Sequence, residues 1–182
     1  MKHRKQIKHF NNPGEAHFLT FSCINRRPLL RKEFTIELLL HALAEACRKW
    51  NFDLWGYVIM PEHVHLIVWP RDEKYDMAKF LQAVKQPVSR NVKKWLVENN
   101  PASIEKLCFE CRDGRKRFHF WLAGGGYDRN LYSEKSARKT IEYIHYNPVR
   151  RGLVEDPFQW KWSSATWWRD VGRFGIDLDT LG

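Results

Sequence analysis

Apolar residues along the chain follow two different periodicities, and these predict strands that alternate with helices. Residues 33–50 and roughly 76–97 carry apolar side chains at helical spacing, so each segment is predicted to form an amphipathic helix. Stretches rich in β-branched and aromatic residues predict strands. These strands span residues 17–24, 51–60, 60–69 and 118–122. A tight Pro61-Glu62 turn joins the second strand to the third, which predicts an antiparallel hairpin.

Three segments depart from this regular pattern. Pro87 falls inside the second helix and is expected to kink or break it near Gln86, because proline cannot donate a helical hydrogen bond. Residues 101–117 are rich in Arg and Lys and are predicted to form a loop. The glycines at residues 124–126 leave the backbone free to approach another backbone or a phosphate closely. This run lacks the spacing and the Lys-Ser/Thr of a nucleotide P-loop, so no nucleotide cofactor is expected.

Two histidines lie on one face of the third predicted strand. His63 and His65 are two residues apart, and side chains alternate faces along a strand, so both imidazoles point the same way. Two imidazoles in this arrangement can bind one divalent ion without distorting the backbone. An isolated His-x-His pair also occurs as ordinary half-buried histidines. The metal interpretation therefore depends on whether the chain supplies a third ligand and a nucleophile.

A third helix, with Ser133 as its predicted N-cap, carries a polar face that could supply both. It is predicted to run to about Tyr146, because Pro148 disfavours helical geometry at the residue before it. Tyr143 and Asn147 are four residues apart and share a face. The same face carries the polar residues Ser136 and Thr140. Tyr146 is the rival tyrosine, but only Tyr143 can point with Asn147 toward one site.

The charge of the chain predicts a polyanionic partner. Lys and Arg number 31 against 21 Asp and Glu, which gives a net charge of +10 and a pI of about 9.6. Such an excess favours nucleic acid over a membrane surface as the partner. Residues 1–12 form a basic arm, and the second helix has a face whose charges are all positive, although many charged helix faces are only solvated. The candidate phosphate contacts on that helix are Lys79, Lys85, Arg90, Lys93 and Lys94.

The cysteines and the hydropathy predict a cytoplasmic protein with free thiols. No run of about 18 apolar residues occurs, and the N-terminus is too charged for a signal peptide. Disulfides are rare in the cytosol. Cys108 and Cys111 have half of a zinc-site spacing, but no second pair completes it.

Two motifs together resemble those of a known family. The motifs are Gly56-Tyr57-Val58-Ile59-Met60-Pro61-Glu62-His63-Val64-His65 and Tyr143-Ile144-His145-Tyr146-Asn147-Pro148-Val149-Arg150-Arg151-Gly152. They are similar to the paired motifs of single-tyrosine HUH transposases, and within that group to the REP-associated tyrosine transposases. The segments 17–21, 25–28 and 162–165 fit the same pattern, so the resemblance covers nearly the whole chain. The glycine run and the Cys108/Cys111 pair are not part of it.

The resemblance implies a fold and a set of site residues. The implied fold is α+β, an antiparallel four- to five-stranded sheet with packed helices, ferredoxin- or RRM-like, as in HUH endonucleases. The chain is read as one domain over residues 1–182, with a Trp-rich C-terminal tail at 153–182. Carried over by position, His63 and His65 become metal ligands, Asn147 the third ligand, and Tyr143 the nucleophile. Further candidate DNA contacts are Arg129, Arg150 and Arg151.

The implied chemistry is cleavage of single-stranded or hairpin DNA. A divalent ion, Mg²⁺ or Mn²⁺, would polarise a phosphate oxygen, and the tyrosine would attack to leave a 5′-phosphotyrosine and a 3′-hydroxyl. The protein is expected to act as a monomer or homodimer. Two alternatives stay open: a non-catalytic RRM-like nucleic-acid-binding protein, and a zinc hydrolase that uses the histidine pair.

Overall fold

A computed structural model describes residues 11–111 and 113–181 of the chain. Most of the predicted basic arm lies outside the described residues, including its cations Lys2, Arg4, Lys5 and Lys8. Arg112, within the predicted basic loop, also lies outside them.

An antiparallel sheet of four strands forms the centre of the fold, with the order β2-β3-β1-β6. These strands are β1 (Ala16–Ser22), β2 (Phe52–Met60), β3 (His63–Pro70) and β6 (Tyr127–Leu131). Met60 pairs with His63, so the predicted hairpin closes through the two-residue Pro61-Glu62 turn. The predicted α+β fold with an antiparallel sheet is therefore confirmed.

Helices cover both faces of this sheet. Helices α1 (Glu33–Trp50) and α2 (Met77–Asn99) cover one face, and α4 (Glu134–His145) covers the other. A hydrophobic core lies on each face of the sheet. Side chains along β3 alternate between these two cores, because successive residues of a strand point to opposite faces. Val64, Leu66 and Val68 are buried in the larger core with α1 and α2. Ile67 is buried under α4, so His63 and His65, which share its parity, lie on the α4 face.

The break predicted at Pro87 does not occur. Helix α2 runs without interruption through Pro87, although the proline removes one backbone donor. Val84 and Val88 on either side of it are fully buried in the larger core. Burial of such side chains stabilises the helix by about 1.5–3 kcal/mol each, which is enough to offset a proline penalty of about 3 kcal/mol.

The loop predicted at residues 101–117 is wrong in part, because this segment contains regular structure. Helix α3 (Ala102–Glu105) is followed by a small antiparallel hairpin of β4 (Cys108–Glu110) and β5 (Lys116–Phe118). The strand predicted at 118–122 is replaced by the end of β5 and by an isolated bridge between Trp121 and Cys23. Richness in aromatic residues predicted a longer strand, whereas the described backbone pairs as strand only at these two short stretches.

The glycine run is a bulge in the edge of the sheet. Leu122 donates to the Ser22 carbonyl at 2.8 Å, and β6 then resumes pairing with Tyr127 opposite Thr20. Gly126 has a φ of +80°, and a Cβ there would lie 2.0 Å from the Thr20 carbonyl oxygen. Only glycine permits this approach. Strand β6 itself was not predicted, because its sequence is mostly polar, as an edge strand allows.

The C-terminal segment packs along β2. It includes α5 (Asn147–Arg150) and α6 (Ala165–Asp170). The indole nitrogens of Trp160 and Trp168 donate to the carbonyls of Ile59 and Trp55, at 3.0 and 2.8 Å. Within residues 11–111 and 113–181, none of the helices combines the length and the apolar character needed to span a membrane.

Candidate active site

The histidine pair forms the centre of the candidate site. His63 and His65 are 8% and 7% exposed, and their Nε2 atoms lie 3.1 Å apart. Two nitrogens that bind one ion at about 2.1 Å each, at right angles around it, are separated by about 3 Å. Two lone pairs at this distance repel unless a proton or a cation lies between them. The spacing fits neighbouring ligands of one ion, and it also fits an N–H···N hydrogen bond between two neutral rings.

The outer nitrogen of each ring has a partner that fixes its orientation. His63 Nδ1 donates to Glu62 Oε1 at 3.1 Å, because a carboxylate only accepts. His65 Nδ1 lies 2.7 Å from Thr20 Oγ1, on the neighbouring strand. Such partners orient histidine ligands and raise their basicity in metal sites. They hold both Nε2 atoms toward the same point.

Both imidazoles favour their neutral, metal-binding form. Burial, with smaller effects from the charges of His63 and Arg150, lowers the pKa of His65 to about 3. Burial also lowers the pKa of His63, although the neighbouring Glu62 acts to raise it. Neutral imidazole is the form that binds a metal. Both rings therefore favour at neutral pH the form that the predicted role as metal ligands requires.

Glu62 links the pair to the motif that follows α4. Arg151 Nη1 donates to Glu62 Oε1 at 2.8 Å, on the same oxygen that His63 contacts. Burial acts to raise the pKa of Glu62, but the hydrogen bond from Arg151 and the nearby positive charges hold it below its ordinary value. Sequence reasoning assigned Arg151 to DNA and gave Glu62 no role at the site. The structure places Arg151 as the ion-pair partner of a buried carboxylate.

Tyr143 lies beside the histidine pair on the α4 face. Its ring is half exposed, and its centroid is 6.3 Å from that of His65. The Arg150 guanidinium lies 4.4 Å from the centre of the Tyr143 ring. Tyr143 and His65 border an open groove of about 630 Å³, here called the Tyr143 groove. Its other walls are Phe18, Thr20, Tyr127, Arg129, Ser136, Lys139 and Thr140.

The rival tyrosine faces elsewhere. Tyr146 lines a separate pocket with Trp168 and Phe158, on the side of α4 toward α6. Asn147 is buried, and its Nδ2 donates to the Tyr143 carbonyl at 3.4 Å. This bond uses the amide nitrogen, so Oδ1 is the atom that could bind a metal. Asn147 as third ligand stays a prediction.

The predicted DNA contacts divide into different environments. Arg129 lies in the Tyr143 groove, where it donates to Thr140 Oγ1 at 3.1 Å. Lys85 does not belong to an open basic face, because its Nζ donates to the Gly124 carbonyl at 2.9 Å and burial lowers its pKa to about 8. Lys79 is exposed and lies 3.6 Å from Asp76. Arg90, Lys93 and Lys94 on the same helix are also exposed.

The cysteine pair is separate from this site. Cys111 Sγ lies 3.5 Å from His119 Nε2, within the β4–β5 region. Neither Cys108 nor Cys111 forms a disulfide with another described residue. Among the residues that the structure describes, no group of three or more His, Cys, Asp or Glu side chains is placed to hold a metal.

Comparison with known proteins agrees with the motifs. The family described as "Transposase IS200 like" matches residues 14–147. A REP-associated tyrosine transposase of Escherichia coli (strain K12) is 28% identical over 170 residues, which cover 93% of this chain and 86% of the relative. The fold is similar to that of a REP-associated tyrosine transposase solved bound to a REP hairpin. That similarity has a TM-score of 0.72 at 19% identity, and covers 97% of this chain and 90% of the other. The chain therefore belongs to the IS200-like transposase family.

Proposed function

We propose that this transposase cuts and rejoins single-stranded or hairpin DNA through a covalent 5′-phosphotyrosine on Tyr143. The observation that carries the proposal is that Tyr143 and His65 border one open groove, with ring centroids 6.3 Å apart. Tyr146, three residues away, lies in a different pocket. A related transposase was solved bound to a REP hairpin, which supports hairpin DNA as the substrate class here.

The proposal includes a divalent ion at the histidine pair. His63 and His65 would hold it through their Nε2 atoms, which are 3.1 Å apart, with the amide oxygen of Asn147 as third ligand. Amide and phosphate oxygens are hard ligands, so Mg²⁺ or Mn²⁺ is the expected ion. When bound, such an ion polarises a phosphate oxygen and neutralises part of its charge.

The protein side chains then account for the cleavage step. The Tyr143 oxygen attacks the phosphorus in line, forming a phosphotyrosine bond while the bond to the 3′-oxygen breaks. The phenolic proton passes to water, and the departing oxygen takes up a proton to become a 3′-hydroxyl. Arg150 over the Tyr143 ring and Arg129 in the groove would stabilise the negative charge that the phosphate oxygens gain during this step.

The covalent ester explains how strand transfer proceeds without ATP. Attack by another 3′-hydroxyl on the phosphotyrosine reverses the first step, so one phosphodiester bond replaces another. A phenol is a better leaving group than an aliphatic alcohol because its ordinary pKa is about 10. The free energy of the broken phosphodiester is thus kept in the protein–DNA ester.

Labelled DNA hairpins with single-stranded flanks test this proposal. We expect wild-type protein with Mg²⁺ or Mn²⁺ to give an adduct that survives SDS, and EDTA to prevent it. Tyr143→Phe and His63→Ala are expected to bind DNA but give no adduct, whereas the matched control Tyr146→Phe gives a normal one. Metal-dependent hydrolysis without an adduct would instead favour the hydrolase, and binding without cleavage the RRM-like binder.

A further inference from the structure

A small cleft lies on the opposite side of the sheet from the Tyr143 groove. It forms where the start of α1 meets the end of α2, and its volume is about 250 Å³. Its interior is apolar and consists of the buried side chains Val92, Leu96, Leu107 and Phe120. We call it the Phe34 cleft, after the exposed aromatic residue at its rim.

Aromatic surface is exposed at this cleft. Phe34 is 36% exposed, and its ring lies 5.6 Å from that of the half-buried Trp95, with 38° between the planes. The two rings form a contiguous apolar surface in a concave site, and contiguous exposed apolar surface can mark a binding site. The cleft is smaller than the pockets of about 300–1,000 Å³ that hold drug-sized ligands. It therefore suits a single planar ring system.

The rim of the cleft is positively charged. Lys32 Nζ lies 5.1 Å from the centre of the Trp95 ring, and Lys106 is exposed. Arg27 stacks near Phe109 at 5.9 Å and donates to the Lys106 carbonyl, which keeps its guanidinium at the mouth of the cleft. The residues that line the cleft include no carboxylate. An aromatic floor with cations around it fits a ligand that combines a flat ring with a phosphate.

A short strained segment connects the cleft to the candidate active site. Cys23 and Leu30 donate to the carbonyls of Glu62 and Pro61, at 2.8 and 2.9 Å, in the turn that precedes His63. Between them, Asn25 and Arg26 adopt positive φ angles of 50° and 52°. Non-glycine residues in this conformation are uncommon, and they cluster at functional sites.

The same segment limits the distance between the turn that precedes His63 and the cleft. Arg27 follows Cys23 by four residues, which span at most about 14 Å. Arg26 and the cleft-lining Arg27 therefore lie on the segment that joins this turn to the cleft.

We propose that the Phe34 cleft binds one unpaired nucleobase of the DNA substrate. The base stacks on Phe34 and Trp95, and its phosphate lies among Arg27, Lys32 and Lys106. Base–aromatic stacking is sequence-tolerant, because every base has a π-face. The inference rests on the proposed function only in that it requires a DNA substrate with an unpaired segment. It gives that substrate a second anchoring point, outside the Tyr143 groove.

An abasic scan combined with a cleft variant tests the inference. The probe is a fluorescein-labelled DNA hairpin with single-stranded thymidine flanks, in which one base at a time is removed. Loss of a stacked base weakens binding by about 5- to 150-fold. We expect Phe34→Ala to weaken binding of the intact probe by roughly tenfold, and Phe34→Trp to restore it. One abasic position should weaken binding by wild type but not by Phe34→Ala, because the two losses remove the same contact.

The control variant and a parallel reaction make the outcome decisive. Tyr132→Ala removes an aromatic ring that is 77% exposed and lies outside the cleft, and it should bind like wild type. Thermal unfolding of each variant confirms that it is folded. Fully additive effects of Phe34→Ala and every abasic position, or wild-type affinity of Phe34→Ala, would overturn the inference. Adduct formation is scored separately in the same samples. A wrong inference about base binding in the cleft is thereby distinguished from a wrong proposal about cleavage.

Discussion

Lowering the pH from 7 to 5 should destabilise the fold through buried histidines, of which His145 can be tested by itself. His145 lies at the end of α4, with its Nε2 2.9 Å from Ser164 Oγ, and burial lowers its pKa from 6.5 to about 4. The Ser164 hydroxyl also accepts from the Tyr57 backbone nitrogen at 2.9 Å. This network joins the helix that carries Tyr143 to β2. His65 has its pKa lowered to about 3, chiefly by burial.

The direction of the stability change follows from whether the folded or the unfolded state binds the proton. Between pH 6.5 and about 4 a histidine protonates in the unfolded chain but not in the folded one, so stability is present above pH 6.5 and declines as the pH falls. At pH 5 the unfolded state gains about 2 kcal/mol from each such histidine, since one pH unit corresponds to about 1.36 kcal/mol. His145 alone therefore removes about 2 kcal/mol from a typical stability of about 5–15 kcal/mol, and the lowered pKa values of His65 and His63 act in the same direction.

Urea unfolding followed by tryptophan fluorescence at both pH values measures this loss. His145→Gln keeps a donor toward Ser164 but cannot take up a proton, so it should show a decline smaller by about 2 kcal/mol. His41→Gln, at an exposed position, controls for the loss of a histidine elsewhere. The reasoning is refuted if wild type is equally stable at both pH values, or if His145→Gln keeps the full decline.

Three further changes have defined expected outcomes. Glu62→Gln removes the carboxylate that orients the first histidine, and should raise the metal concentration for half-maximal cleavage about 10- to 100-fold; an unchanged requirement would contradict that role. Charge reversal at Lys93 and Lys94 should reduce the slope of log K against log salt by roughly 0.7 per lost contact on single strands. A constant slope would place the DNA elsewhere. Gly126→Ala should lower the free energy of unfolding by at least about 2 kcal/mol, because its Cβ would meet a β1 carbonyl. Gly124→Ala, where no atom lies within 4 Å, is its control and should be less harmful.

Features set by local spacing could be predicted from the sequence. Alternation along β3 placed His63 and His65 on one face, and the two-residue turn fixed the hairpin. Helical spacing placed Tyr143 and Tyr146 on different sides of α4, and the structure confirms that they line different pockets.

Features set by long-range pairing could not be predicted in this way. Thr20 reaches His65 only through the register of β1 against β3, which joins residues 45 positions apart. Glu62 gains its second partner from Arg151, 89 positions along the chain. In the sequence, Lys85 cannot be distinguished from the other cations of a basic helix. Only the fold shows that its Nζ donates to the Gly124 carbonyl in the glycine bulge. Local patterns carry no information on such partners.

The identity of the residue joined to DNA tests the central claim most directly. A cleaved hairpin is digested with protease and nuclease, and the nucleotide-bearing peptide is sequenced by mass spectrometry. The account predicts a peptide modified at Tyr143, a 5′-phosphate linkage, and a free 3′-hydroxyl on the other fragment that a polymerase extends. Modification at Tyr127 or Tyr146, or a 3′-phosphotyrosine linkage, would contradict it.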